Sequence, residues 1–124
     1  MTSSATAPSA VRVALDFLAA FAAQDEAGMA GLLDADVIFE SPRITLTGAG
    51  AVGEAIGGFA RAVQSVTVIA AYGDDEHAVV MYDMDAGPLG TIRAADHFVV
   101  RDGRVVSDQL VFDTHALREV EKPG

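Results

Sequence analysis

The sequence predicts an α+β domain in which helices come first and strands last. Three observations carry this. Up to about residue 63, apolar residues recur at helical spacing. From Val66 onward the chain turns to β-branched runs punctuated by Gly73-Asp74-Asp75, Gly87-Pro88 and Asp102-Gly103. Asp102-Gly103 stands between two apolar alternating runs, which is a strong hairpin signal with a loop of two residues or slightly more. With 124 residues, the chain is long enough for one domain with its own core and too short for two.

Each element follows from its own residues. Val11, Ala14, Leu15, Leu18, Phe21 and Ala22 predict an amphipathic helix over Ala10–Ala23, capped by Ser9. Asp25 caps a shorter second helix through Met29, Leu32 and Leu33, ending near Asp34 to Asp36. Val37–Ser41 reads as a short strand stopped by Pro42, and Ile44–Thr47 as another. Val52, Ile56, Phe59 and Val63 predict a third helix whose Gly53, Gly57 and Gly58 lower its own propensity and let another element approach closely. Val66–Tyr72, Ala78–Asp85, Thr91–Val100 and Arg104–Phe112 then form a four-stranded antiparallel meander, and the helices cover one face of a curved sheet. The expected organisation is a disordered lead-in over 1–9, one domain over 10–117 and a C-terminal tail over 118–124.

Composition narrows the function. Eight basic residues against eighteen acidic ones give a net charge of −10, which repels phosphate backbones and anionic lipid surfaces, so neither nucleic acid nor membrane is an expected partner. No apolar run approaches the roughly 18 residues that cross a bilayer. Met1 to Ser9 lacks the basic and apolar regions of a signal peptide, and the expected location is the cytoplasm. The absence of Cys removes disulfides, thiol nucleophiles and thiolate metal sites together. His77, His97 and His115 fall on separate parts of the pattern and do not converge as metal ligands. Gly48-Ala49-Gly50 and Gly57-Gly58 lack the strand-turn-helix setting of a phosphate loop, and no cofactor is expected.

The chemistry centres on Asp96, an acid among apolar strand residues. Alternation puts Asp96 and Phe98 on one face and His97 and Val99 on the other. If that face is interior, the hairpin register adds Asp108, Leu110 and Phe112 to it, and two facing carboxyl groups split their pKa values into a donor and a base. The plainer alternative leaves Asp108 in water at a strand end. Glu40 is a further candidate base, although alternation sends it to the face opposite Phe39 and Ser41 unless the strand bulges. Tyr82 shares a face with Val80 and Met84, and the pattern leaves open whether that face is interior. Phe17, Phe21, Phe39, Phe59 and Phe112, with Ser41, Phe98 and Leu110, are candidate walls of an apolar pocket.

The order of these elements, with Ala19-Ala20, Ala35-Asp36, Phe39-Glu40-Ser41-Pro42, Asp96-His97-Phe98 and Gly103-Arg104-Val105-Val106-Ser107, resembles the nuclear transport factor 2-like superfamily over about Val11 to Asp113. Within it the chain looks most like the SnoaL-like and ketosteroid isomerase branch. The resemblance implies a cone, also described as a cystatin-like α+β barrel: a curved antiparallel sheet packed by three N-terminal helices around an apolar pocket open at one end. It also implies a homodimer joined through the outer sheet face. Asp96 matches the family's neutral acid that donates to an oxyanion. The family's general base falls on Ser41 and its phenol on Phe17, and neither residue supplies that chemistry. Limonene epoxide hydrolase is similar too, but its C-terminal-strand Asp falls on Leu110, and Arg93 stands three residues from Asp96 rather than two. The implied function is cofactor-free acid–base chemistry (isomerisation, cyclisation or dehydration) on a small hydrophobic carbonyl compound. The alternatives are a non-catalytic module that binds a hydrophobic ligand and a dimerisation scaffold with a filled core.

Overall fold

A computed structural model describes residues 8–114. The expectations for the lead-in before Pro8, for His115 and for the tail over 118–124 lie outside the described residues. Helix α1 (Ser9–Ala22) buries Ala10, Val11, Ala14, Phe17, Leu18 and Phe21. Ser9 does not cap it. Pro8 holds the cap position without a side-chain bond, and the Ser9 N–H donates to Asp75 Oδ1 at 3.0 Å, which ties the helix start to a distant hairpin.

Helix α2 (Glu26–Gly31) is capped as expected, with Asp25 Oδ1 accepting from the Gly28 N–H at 2.9 Å. It ends earlier than its apolar pattern suggests, because Leu33–Asp36 belong to strand β1 (Leu33–Glu40). The cause is non-local: Leu33 pairs with Val105, and the Val105 N–H donates to the Leu32 carbonyl at 2.7 Å. Strand β2 (Thr45–Thr47) pairs antiparallel with β1 at the sheet edge. Helix α3 (Ala49–Ala60) follows, and a Cβ at Gly57 would lie 3.1 Å from carbons of the Glu26 side chain. Glycine there permits the close approach of α2 and α3.

Strands β3 (Ser65–Gly73), β4 (His77–Asp85), β5 (Thr91–Arg101) and β6 (Arg104–Phe112) form the expected antiparallel meander. The full sheet has six strands in the order β2-β1-β6-β5-β4-β3. It is mixed rather than wholly antiparallel, since β1 runs parallel to β6. Register shifts interrupt the pairing between Val68 and Ala70, between Val99 and Val100, and between Leu33 and Ile38. Such bulges add local bend and twist, and the sheet curves without closing.

One bulge decides the location of the candidate acids. Arg101 pairs with Arg104 across a two-residue loop in which Asp102 and Gly103 both have positive φ (54° and 75°). With strict alternation from that loop, Asp108 would face outward. The register shift after Val100↔Val105 leaves one extra residue in β6, so Val99 pairs with Ser107 and Phe98 with Asp108. Asp108 therefore turns inward to join Asp96.

The helices pack on the concave face, where β4 presents Ala78, Val80, Tyr82 and Met84 and β5 presents Ile92, Ala94, Asp96, Phe98 and Val100. Phe98 is fully buried and meets Phe17 of α1 edge to face at a centroid distance of 5.9 Å. On the outer face Ile38, Tyr72, Val79, Met81 and Val111 remain exposed. Among the described residues no helix is long and apolar enough to cross a membrane.

Candidate active site

Between the helices and the concave face lies a cavity of about 410 Å³. Its walls include Phe17, Phe21, Phe39, Phe59, Leu110 and Phe112, with Ser41 at the rim. Phe98 is a correction: it shares the face of Asp96 but is sealed beneath α1 against Phe17 and does not reach the cavity. Sequence reasoning missed Arg43 and Ile44 at the rim and Ile56 and Met84 on the wall. Ile56 carries a usable signal in the helical stripe it forms with Val52 and Phe59, whereas Arg43 and Ile44 follow Pro42 in a turn without periodicity.

Tyr82, Asp96 and Asp108 also line this cavity, and each is at most 4% exposed. Their meeting follows from register. Asp96 sits opposite Val80 on one neighbouring strand and Leu110 on the other, so Tyr82 and Asp108 are its diagonal neighbours. The Tyr82 hydroxyl donates to Asp96 Oδ1. The two carboxyl groups are also hydrogen-bonded to each other. Among the described residues, Asp108 Oδ1 is buried and has no hydrogen-bond partner.

The electrostatics give the three groups different states. Burial pushes the Asp96 carboxyl above its ordinary value, while hydrogen bonds from Asp108 and Tyr82 pull it back. Asp108 is pushed well above the carboxylate range, first by burial, then by the negative charge of Asp96 and by its hydrogen bond to that residue. Burial and the same Asp96 charge push the Tyr82 phenol well above its ordinary value. Of the two carboxyl groups, Asp108 is the one held further toward its protonated form, by burial and by the neighbouring charge.

The remaining candidates lie elsewhere. Ser41 Oγ closes a turn at the rim, accepting from the Arg43 and Ile44 N–H groups at 3.3 and 3.2 Å and donating to the Ile44 carbonyl at 3.2 Å. Glu40 is exposed on the outer sheet face, where Oε1 accepts from Gln109 Nε2 at 3.3 Å. The irregularity in β1 falls between Leu33 and Ile38, before Glu40, and so does not turn that side chain inward. His97 stands on the same outer face, 2.9 Å from Gln109 Oε1 and 3.0 Å from His77 Nδ1. Among the described residues no cluster of His, Asp and Glu is arranged to hold a metal ion.

The pH dependence of stability tests the protonation state. A carboxyl whose folded pKa is raised binds its proton more tightly in the native state, so stability falls as pH rises above the unfolded value of about 3.9. One such group contributes a slope of about 1.4 kcal/mol per pH unit until its folded pKa is reached. Asp108→Asn removes that contribution. Urea unfolding between about pH 4.5 and about pH 7 should give a flatter stability curve for the variant than for wild type, by about that slope. Identical slopes would mean that Asp108 is ionised in the native state.

The chain matches the SnoaL-like domain model over residues 14–108. Among solved structures, a protein from Kribbella flavida superposes with a TM-score of 0.87 at 26% identity, covering 90% of this chain and 92% of its own. A steroid delta-isomerase from Pseudomonas aeruginosa gives 0.76 at 20% identity, with coverages of 94% and 91%. An LEH-like epoxide hydrolase from M. tuberculosis gives 0.75 at 20%, with coverages of 90% and 87%. At those identities the two enzymes establish a shared fold and nothing finer. No curated protein sequence matches the chain. With the domain model spanning most of its length and the three helices set against a curved, open sheet, the chain belongs to the SnoaL-like family within the NTF2-like fold.

Proposed function

We propose that this protein is a cofactor-free acid–base catalyst acting on a small apolar carbonyl compound. One observation carries the reading: two buried carboxyl groups, Asp96 and Asp108, meet with the Tyr82 phenol beside them on the wall of a cavity that is otherwise largely apolar. Ionised Asp96 takes a proton from the carbon next to the carbonyl. Its charge then vanishes, its hold on the Tyr82 hydroxyl and the Asp108 acid weakens, and both donors become available to the oxyanion that forms on the substrate. Return of a proton to a different carbon or to a leaving oxygen completes an isomerisation or a dehydration. Transfer between the two carboxyl groups resets the pair without change in its total charge. Catalysis of this kind contributes about a hundredfold to ten-thousandfold. The steroid delta-isomerase and the epoxide hydrolase on the same fold support the reading by analogy alone.

The test is hydrogen–deuterium exchange at the carbon α to the carbonyl of 2-tetralone, followed by proton NMR in heavy water. Wild-type protein should accelerate exchange, and Asp96→Asn should lower the rate by about a hundredfold or more. Binding of the ketone without exchange would instead favour the non-catalytic ligand-binding module.

The outer sheet face supports a second part of this reading, a homodimer. Val111, Ala95, Met81 and Ala70 form one cross-strand row there, and Val111 and Met81 are exposed. A second copy placed on this face would remove the row from water. In sedimentation velocity the wild type should run as a dimer and Met81→Lys as a monomer. A wild-type monomer would dismiss the dimer and leave the catalytic reading untouched.

A further inference from the structure

The two edges of the sheet are unlike. At one edge β2 is three residues long and follows Pro42, and both features keep an edge from pairing with another chain. At the other edge β3 runs for nine residues, and among the described residues it pairs with β4 alone. No charged residue and no proline stands between Ala62 and Gly73. The exposed apolar side chains of β3 lie on both faces. Val68, 43% exposed, stands opposite Tyr82 on the concave side, and Tyr72, 75% exposed, stands opposite Val79 on the outer side, with Ile69 between them in the bulge. A surface laid on one face covers only one of these. A strand added in the plane of the sheet covers both and takes up the backbone groups of the edge.

We propose that the β3 edges of two copies of this chain pair antiparallel about a two-fold axis and join their sheets into one. A two-fold contact brings the same strand to both sides, and the pleat selects its register. Val66 and Ala71 face inward, opposite buried Met84 and Val80, whereas Thr67 and Ala70 face outward, opposite Asp83 and Met81. Setting Thr67 against Ala70 of the second copy matches the faces along both halves of the strand: Val66 meets Ala71, Ser65 meets Tyr72, and Val68 meets Ile69 on each side of the axis. A slip of one residue would oppose inward and outward side chains. Charge agrees with this register. Each copy carries a net charge of −10, yet the joined strands carry none, and beyond their ends Arg61 of one copy is brought toward Asp74, Asp75 and Glu76 of the other. Arg61 is exposed, and its guanidinium has further N–H donors besides the one given to Glu26. The contact is separate from the outer-face dimer, which buries side chains and pairs no backbone.

The chain has no Cys, so introduced thiols report on this register alone. Ser65→Cys and Tyr72→Cys in one chain place thiols about 23 Å apart along their own strand and directly opposite each other across the proposed axis. Under oxidised glutathione the double variant should form a covalent dimer on non-reducing gels. Either single variant should not, because each position lies far from its own copy. Adding Met81→Lys should leave the cross-link in place, and adding Ile69→Lys, a charge at the centre of the joint, should abolish it. No cross-link in the folded double variant would overturn the proposal. Equal cross-linking in a single variant, or a cross-link that Ile69→Lys spares, would do the same, and one that Met81→Lys removes would assign the contact to the outer face instead. Should Ile69→Lys not fold, Val68→Lys puts the charge beside it, and the comparison of single with double variants decides by itself. None of these outcomes bears on the acid–base site.

Discussion

Two carboxyl groups side by side in an apolar interior cannot both ionise, and the rest of the site follows from that constraint. Asp96 and Asp108 occupy positions on the concave face where their neighbours Ala94, Phe98 and Val105 are apolar. Each carboxyl raises the free energy of the other's charge, so the pair settles on one proton. Tyr82 donates to Asp96 and so favours charge on that member of the pair. On the proposed reading this pairing gives an acid and a base in contact at the same pH.

The backbone device behind this pairing is small. A two-residue turn at Asp102-Gly103 sets one register for the β5–β6 hairpin, and a single extra residue in β6 replaces it with another before the strand reaches Asp108. Without the bulge Asp108 would stand on the outer face opposite His97 with Ser107 in its place opposite Phe98, and Asp96 would lack its partner. The same sheet curvature that makes room for α1 and α3 thus comes with the irregularity that assembles the acid pair. Where the family resemblance puts a phenol on α1 this chain has Phe17 on the cavity wall, and the phenol bonded to Asp96 is Tyr82 on β4.

Much of this was legible in the chain because it depends on local rules. The helical stripe from Val11 to Phe21, the Asp25 cap and the four β-branched runs each act over a few residues, and each element forms where its pattern stands. The departures share a different cause. Ser9 looks like a cap, but its backbone N–H is held by Asp75, 66 residues away. Leu33 continues a helical stripe, yet parallel pairing with Val105 draws it into the sheet. Phe98 has the right face and the wrong depth, because α1 covers it. Whether Tyr82 looks inward depends on which face of β4 the helices take, and alternation alone treats both faces alike. In each case a contact distant in sequence outweighs or completes the local signal.

The central claim is that the proton of the pair resides on Asp108 and the charge on Asp96. Carbon-13 NMR of the aspartate carboxyl groups across a pH titration, with the two resonances assigned through Asp96→Asn and Asp108→Asn, measures this directly. The account predicts that Asp96 titrates first and Asp108 well above it, and that Asp108 shifts downward in Asp96→Asn, where the neighbouring charge is gone. Two midpoints near the ordinary value of about 3.9, or Asp108 titrating before Asp96, would contradict it.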